Sequence, residues 1–92
     1  MGMTLAMDGY RVMSSDDERL GRVVGVDDEF VIVELGRFRR VRRPVPLAFA
    51  HPDDAAKVVR ITVPRHGLAR APRVKTAVDA KAAAAYYGLA AR

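Results

Sequence analysis

The sequence predicts a small, mainly β domain that ends in a helix, and three stretches carry that prediction. Residues 20–35 (LGRVVGVDDEFVIVEL) hold two apolar, β-branched runs on either side of an acidic turn, which is the pattern of a β-hairpin. Residues 57–63 (KVVRITV) alternate apolar and polar side chains, as a half-buried strand does. Residues 77–91 are rich in alanine, the residue with the highest helix propensity.

Length and composition limit the class of protein. A chain of 92 residues forms one domain, and a domain of that size buries only about 60 to 65% of the surface that it exposes when unfolded. The chain has no cysteine and two histidines, so neither disulfides nor a structural metal adds stability, and we expect a homodimer. The N-terminus lacks the features of a signal peptide, and no segment reaches the roughly 20 apolar residues that span a bilayer. We therefore expect a cytoplasmic protein with no membrane span.

Charge is distributed unevenly along the chain. Residues 1–36 carry eight acidic and three basic side chains, residues 37–59 two and six, and residues 60–92 one and seven. Such asymmetry is typical of proteins that present a basic face to a nucleic acid or to a membrane surface. In a folded sheet, however, the two signs can lie side by side and cancel.

The first half of the chain reads as strands and turns. Residues 1–9 have no clear period, and we expect a flexible N-terminal arm there. A short strand begins at Tyr10 and leads into a turn at residues 14–18, where Asp16 and Asp17 suit the turn because aspartate tolerates left-handed dihedrals. In the hairpin that follows, we expect the two glycines of its first strand to let strands bend or approach closely.

The middle of the chain is basic and interrupted by prolines. Phe38 and Val41 are the only apolar residues of the run 37–43 (RFRRVRR), so either a bulge places both on the inner face or one of them is exposed. Pro44 and Pro46 exclude the next piece from a central strand but allow it at an edge or at a barrel corner. We expect a further short strand at residues 47–49 and a turn at residues 51–54.

The end of the chain changes from irregular to helical. Residues 65–73 (RHGLARAPR) are typical of an irregular basic connection, with one leucine that docks on the core. Thr76 and Asp79 resemble a capping box, and an apolar stripe at helical spacing follows. We therefore expect residues 73–92 to form an amphipathic helix that packs on its own sheet or on a partner.

The order of these elements resembles the PRC-barrel family over residues 10–72. The residues that carry the resemblance are DDERLGRV at 16–23, the Pro46-Leu47 pair, and the ITV segment at 61–63, which is followed by Leu68 and Pro72. The chain departs from the family pattern at Asp17, which stands where the family has a turn glycine. The tail Tyr86-Tyr87-Gly88 is similar to the ends of some stand-alone members.

The resemblance implies a small six-stranded antiparallel barrel at residues 10–72, followed by the C-terminal α-helix. The family's fold occurs in the cytoplasmic part of the photosynthetic reaction-centre H subunit, in the C-terminal domain of a ribosome-maturation factor and in many small free-standing prokaryotic proteins. These roles are adaptor and assembly roles, so the resemblance implies a bacterial, non-enzymatic module that acts through protein–protein contacts, without a cofactor.

The densest cluster of charge is the arginine run in residues 37–43. It has two interpretations: an anion or RNA surface, since arginine binds phosphate through two donors, or a solvated outer strand whose arginines pair with the acidic turns. The second is favoured because few aromatic side chains interleave with the cluster, whereas a surface that stacks single-stranded RNA needs them. RNA or ribosome association is the alternative function. The cluster consists of Arg37, Arg39, Arg40, Arg42 and Arg43.

The C-terminal helix offers a possible partner or dimer contact at Tyr86, Tyr87 and Leu89. Adjacent residues point about 100 degrees apart on a helix, so one tyrosine can pack on the sheet while the other faces elsewhere. The alternative is that the helix simply covers its own sheet. The sequence leaves both open.

Catalytic and metal chemistry find little support in the sequence. His51 and His66 lack metal-ligand spacing, and a site there would have to recruit Asp53 and Asp54. The acidic turns at 16–18 and 27–29 lack the spacing of a calcium loop and are interpreted as surface turns rather than a cation site. Ser14 and Ser15 lack the pattern of a nucleophile with a paired histidine, so no enzyme is expected.

Overall fold

The structure, a computed structural model, describes residues 7–27, 29–36, 38, 40–74 and 78–88. These residues form six strands and two helices, with a 3₁₀ turn at Leu47–Phe49 between the fourth and fifth strands. The strands are β1 Arg11–Met13, β2 Arg19–Asp27, β3 Phe30–Leu35, β4 Val41–Pro46, β5 Ala50–Asp53 and β6 Val58–Ile61. The helices are α1 Arg65–Ala69 and α2 Ala80–Tyr86.

The six strands form one mixed sheet in the order β4-β3-β2-β1-β6-β5. The prediction of a mainly β fold with a C-terminal helix is confirmed. The prediction of an antiparallel barrel is wrong in two respects: β1 and β6 pair in parallel, and the described strands do not close into a barrel. The parallel pair arises because the β5–β6 hairpin returns to lie beside β1, with Val12 opposite Val59.

The edge strand β4 shows why the sheet stays open. Val74 donates its N–H to the Arg42 carbonyl at 2.8 Å, and the Tyr87 hydroxyl donates to the Pro44 carbonyl at 2.5 Å, so these carbonyls point away from β3. Alternation along the strand also places the ring nitrogens of Pro44 and Pro46 on the side of β4 that faces away from β3. The missing N–H groups therefore cost no hydrogen bond between strands. The prolines therefore lie on an edge strand, the first of the two positions that the sequence allows, and Val74 and Tyr87 cover that edge.

The hairpin of β2 and β3 forms the centre of the sheet, with its bounds close to those predicted. Gly21 lies where β3 approaches so closely that a Cβ atom would stand 1.9 Å from the Glu34 carbonyl oxygen. The pairing of β2 with β3 shifts register between Val23 and Gly25, which marks a β-bulge. One glycine thus allows close approach and the other lies at a bend.

One face of the sheet holds the core. Its buried side chains come from every strand except β5 and are completed by Leu68 of α1 and by Ala71. Leu68 has no exposed surface, as expected for the leucine of the basic connection. The main core residues on the strands are Val12, Val23, Val31, Val33, Val45, Val59 and Ile61.

The helices differ from the prediction in their bounds. Residues 65–69, expected to be irregular, form α1, which begins directly after the N-cap residue Pro64. Asp79 is itself the N-cap of α2, because its carboxylate accepts the Ala82 N–H at 3.1 Å. The helix ends at Tyr86, and Gly88 follows with a φ of +72°, a conformation that glycine adopts readily. Thr76 lies outside the described residues.

Three smaller differences concern loops. Met7 packs against the core and Gly9 donates to the Val23 carbonyl at 2.8 Å, so this part of the expected N-terminal arm is held in place. Residues 50–53 form strand β5 rather than a turn, while residues 47–49 are a 3₁₀ turn rather than a strand. Phe38 is 92% exposed, which selects the second of the two alternatives for Phe38 and Val41.

Candidate binding surface

The sheet face opposite the core carries an array of arginines. Strand registers align one residue from each of the six strands in a single cross-strand row, and a second row runs beside it over β5, β6, β1 and β2. The first row is Asp53, Val58, Arg11, Arg22, Glu34 and Arg42; the second is His51, Arg60, Met13 and Arg19. We call the exposed set Arg11, Arg19, Arg22, Arg42 and Arg60 the arginine face.

Alternation along each strand explains why these arginines share one face. Successive side chains of a strand point to opposite faces, so an arginine next to a core valine must point outward. Val12 is buried beside the exposed Arg11, Val23 beside Arg22, and Arg60 lies between the buried Val59 and Ile61. Arg19 and Arg42 join the same face through their cross-strand pairing with Met13 and Glu34. The five positions, one or two on each of four strands, combine into one basic surface.

Glu34 is the central acid of the arginine face. Its carboxylate lies 3.8 Å from the Arg22 guanidinium and 3.4 Å from that of Arg42, and the three residues are direct cross-strand neighbours. The Glu34 side chain is only 11% exposed, whereas both arginine side chains are more than half exposed. Two arginines therefore share one carboxylate. Because both arginine side chains remain exposed, their guanidinium groups can bind a further anion.

Of the other three arginines of the face, one has a carboxylate partner among the described residues and two have none. Arg60 bonds Asp17 at 2.7 Å, with both side chains largely exposed. Among the described residues, no carboxylate lies within 4.0 Å of the Arg11 or Arg19 guanidinium. Arg11 also stands directly opposite Arg22, a like-charge pair that is unfavourable in a sheet unless an anion lies between the two.

An open groove of about 390 Å³ lies on this face, around Met13. Arg11, Arg19 and Arg60 contribute its basic lining, and Met13 and Val58 are both half-buried. The remaining lining residues are Asp53 and Ala56. The groove thus combines an apolar floor with three guanidinium groups.

A second groove, of about 310 Å³, lies at the covered edge of β4. It is lined by Arg40, Val41, Arg42, Arg73 and Val74. The Val74 N–H bonds the Arg42 carbonyl, so the backbone on this side of the groove is already occupied. The arginine side chains are exposed and can bind an anion.

The predicted arginine cluster does not form one surface. Arg42 points to the outer face, while Arg43, opposite Val33, points to the core face and donates from Nη1 to the Ala71 carbonyl. The Nε atom of Arg43 is buried with no partner among the described residues. Arg40 is exposed and lines the second groove. Arg37 and Arg39 lie outside the described residues.

The predicted partner contact on α2 is divided in a similar way. Tyr87 packs against the core cluster and makes an edge-on contact with Phe49, with ring centroids 5.7 Å apart. Burial, aided by the neighbouring Tyr86, raises the pKa of Tyr87, and Arg43 opposes that rise. Tyr86 is 41% exposed and donates its hydroxyl to the Gly67 carbonyl. Leu89 lies outside the described residues.

The turn at residues 14–18 is built from local bonds. Ser14 is buried, donates its hydroxyl to the Asp16 carboxylate and accepts the Glu18 N–H at 2.9 Å. The Ser14 hydroxyl lowers the pKa of Asp16. Asp17 adopts a φ of +60°, as the sequence predicts for this turn. The buried serine therefore organises the turn, and its hydroxyl is not available as a nucleophile.

The remaining polar residues show structural roles. The Tyr10 hydroxyl donates to Asp54 at 2.9 Å, and this bond, with burial, raises the pKa of Tyr10. His51 is exposed on β5 and His66 is exposed on α1. Within the described part of the chain, no group of three or more histidine, aspartate and glutamate side chains is placed to hold a metal ion. No described helix is long and apolar enough to cross a bilayer.

Sequence reasoning missed four of the five residues of the arginine face. It favoured the run at residues 37–43 because the charges there are adjacent in the chain, whereas the arginine face collects isolated arginines from separate strands. For Arg11, Arg22 and Arg60 the available signal was a position beside a core valine, which predicts an outward side chain. Strand order is also needed to bring them together, and no local pattern provides it.

Comparison with known proteins identified no family and no curated relative: no protein-family model matches this chain, and no match to a curated protein was found.

Proposed function

We propose that this chain is a non-enzymatic, PRC-barrel-like binding or assembly module that acts through protein–protein contacts made by its arginine face. The observation that carries the proposal is an exposed sheet face whose five arginines have, among the described residues, two acidic partners within 4.0 Å, Glu34 and Asp17. The positive φ of Asp17, where the resemblance puts a turn glycine, supports the family assignment. The close approach at Gly21, within the same motif, supports it as well.

Arginine is well suited to this role. Its planar guanidinium group presents donors that match a carboxylate, and it keeps its charge at all physiological pH values. On the arginine face these groups are anchored on strands rather than on loops, so their spacing is set by the sheet. Such a surface selects an acidic partner and speeds its association electrostatically.

The partner on this face is a different protein rather than a second copy. Two arginine faces would place like charges opposite each other, which is unfavourable. The strand edges are also poorly suited to self-association: the outward N–H of Ala50 on β5 bonds Leu47, and Pro52 has no N–H. Homodimer formation, which the sequence predicts, is therefore proposed at the exposed Tyr86 on α2, and sedimentation of a Tyr86→Ser variant tests it.

The proposed function is tested by cross-linking in an extract of the native cell. The tagged full-length chain is compared with the triple variant Arg11→Ser, Arg22→Ser and Arg42→Ser, and cross-linked proteins are quantified by mass spectrometry. We expect at least one acidic protein whose yield falls about tenfold in the variant, because three guanidinium contacts are removed.

A matched control removes the same charge elsewhere. The variant Arg65→Ser, Arg70→Ser and Lys81→Ser changes three exposed cations on or beside the two helices. It should retain the cross-linked partner. Equal loss in both triple variants would show that net charge alone governs capture and would overturn the proposal.

RNA or ribosome association remains the second candidate, and one observation favours it. Arg40 and Arg73 line the groove beside β4, and Phe38, the most exposed large apolar side chain described, lies in the preceding loop. An aromatic side chain beside arginines can stack on an unpaired base. Salt-sensitive co-sedimentation with ribosomal particles, lost in the variant Arg40→Ser and Arg73→Ser, is the expected result; its absence at low salt would exclude this function.

A further inference from the structure

The groove around Met13 has a distinctive arrangement of charge. Arg60 on β6 and Arg19 on β2 are the cross-strand neighbours of Met13, and Arg11 lies two residues along β1. Because neighbouring strands lie about 4.8 Å apart, the Cα atoms of Arg19 and Arg60 are separated by about 10 Å. The half-buried Met13 and Val58 therefore form an apolar centre with an arginine residue on three sides of Met13.

The lining of the groove is positive overall. Its three arginines are opposed by one acidic residue, Asp53, whose carboxylate accepts the Ala56 N–H at 3.2 Å. Arg11 and Arg19 have no described carboxylate within 4.0 Å. These two arginines can therefore bind the carboxylates of a ligand.

We infer that this groove binds an extended acidic segment of a partner protein, in which an apolar side chain is flanked by aspartate or glutamate. This inference rests on the proposed function and names the class of partner. The apolar side chain packs on Met13 and Val58, while the flanking carboxylates accept charge-assisted hydrogen bonds from the arginines. None of the lining residues is aromatic, so the groove lacks the stacking surface that single-stranded RNA uses.

Asp17 competes with such a ligand. Its carboxylate bonds Arg60 at 2.7 Å, and both side chains are more than half exposed, so an incoming carboxylate must displace Asp17 or share the guanidinium group with it. Asp17 has a φ of +60°, a conformation that asparagine also adopts. The substitution Asp17→Asn therefore removes the competing charge and preserves the turn.

Fluorescence anisotropy with the full-length chain tests the inference. The probe is a labelled synthetic peptide with one leucine flanked on each side by an aspartate and a glutamate, titrated at low salt, where the Debye length exceeds about 10 Å. We expect Asp17→Asn to bind the peptide about two- to threefold more tightly and Arg19→Ser with Arg60→Ser to weaken binding about tenfold.

The apolar centre is tested separately. Met13→Ser should weaken binding of the leucine peptide about fivefold, while a peptide with serine in place of leucine should bind both forms alike. Thermal melting confirms that each variant is folded. If the double arginine variant does not fold, Arg11→Ser alone should weaken binding about threefold.

The control variant Arg70→Ser with Lys81→Ser removes two exposed cations from outside the groove. It should bind the peptide as the unaltered chain does. Equal weakening in both double variants, or tighter binding of a short oligouridylate than of the peptide, would overturn the inference.

The two proposals fail separately. If the peptide does not bind but a native partner still depends on the arginine face, this inference is wrong and the proposed function stands. If the peptide binds in the groove but no native partner depends on the arginine face, the proposed function is wrong.

Discussion

Gly21 and Glu34 lie so close across the central hairpin that a Cβ atom on Gly21 would stand 1.9 Å from the Glu34 carbonyl oxygen. Real Cβ atoms do not approach backbone that closely, so a side chain at this position must push β2 and β3 apart. The same Glu34 carries its carboxylate between Arg22 and Arg42. Absence of a side chain at Gly21 thus supports the strand pairing on which the arginine face depends.

Gly21→Ala should lower the free energy of unfolding by about 2 to 4 kcal/mol, because the clash falls on backbone that cannot rotate away. Urea denaturation followed by circular dichroism measures the loss. Gly25→Ala is the matched control, because nothing lies within 4 Å of a Cβ atom there. Similar losses in the two variants would mean that the close approach at Gly21 does not limit stability.

Much of the fold follows from local pattern. The hairpin of β2 and β3 is predicted because its apolar runs flank an acidic turn, and Phe30–Leu35 has the predicted bounds. The parallel pairing of β1 with β6 is not predictable in the same way, since it joins residues more than forty positions apart whose side chains fit either direction. Residues 50–53 were missed because His51-Pro52-Asp53 has turn composition, although an edge strand tolerates a proline.

The candidate site was less accessible to sequence reasoning. Adjacent arginines such as Arg42 and Arg43 suggest a shared patch, yet strand alternation sends them to opposite faces. Arg11 and Arg22, eleven positions apart, are direct neighbours because β1 and β2 pair antiparallel. Register, rather than composition, decides which charges meet, and register depends on the whole sheet.

Tyr87→Phe should lower the free energy of unfolding by about 1 kcal/mol, because it removes the hydrogen bond to the Pro44 carbonyl. The effect should depend on pH. Burial raises the pKa of Tyr87 in the folded state, so the folded chain favours the neutral hydroxyl. This contribution is fully present below the unfolded pKa of about 10 and is lost as pH rises above it.

Thermal melting of both forms between about pH 8 and pH 11 measures the difference. The advantage of the unaltered chain over Tyr87→Phe should shrink as the solution becomes more alkaline. Tyr86→Phe is the control, and its loss should be smaller because that hydroxyl lies on a side chain that water can reach. An advantage that stays constant with pH would contradict the assigned burial of Tyr87.

Glu34→Gln should destabilise the chain by roughly 0.5 to 1 kcal/mol at low salt, because Arg22 and Arg42 lose their shared carboxylate and repel each other. Added salt screens that repulsion, so the difference from the unaltered chain should narrow at high ionic strength. Denaturant titration at two salt concentrations measures it. Glu29→Gln, a substitution of the same chemistry at an exposed turn, should show neither effect.

Asp17 combines a backbone role with a charge role, and two substitutions separate them. Both Asp17→Gly and Asp17→Ala remove the carboxylate that pairs with Arg60, but only glycine adopts a φ of +60° without steric cost. Asp17→Ala should therefore be less stable than Asp17→Gly by about 1 kcal/mol in thermal or urea denaturation. If alanine were as stable as glycine, the turn would have to relax to a negative φ, which would contradict the left-handed conformation assigned to residue 17.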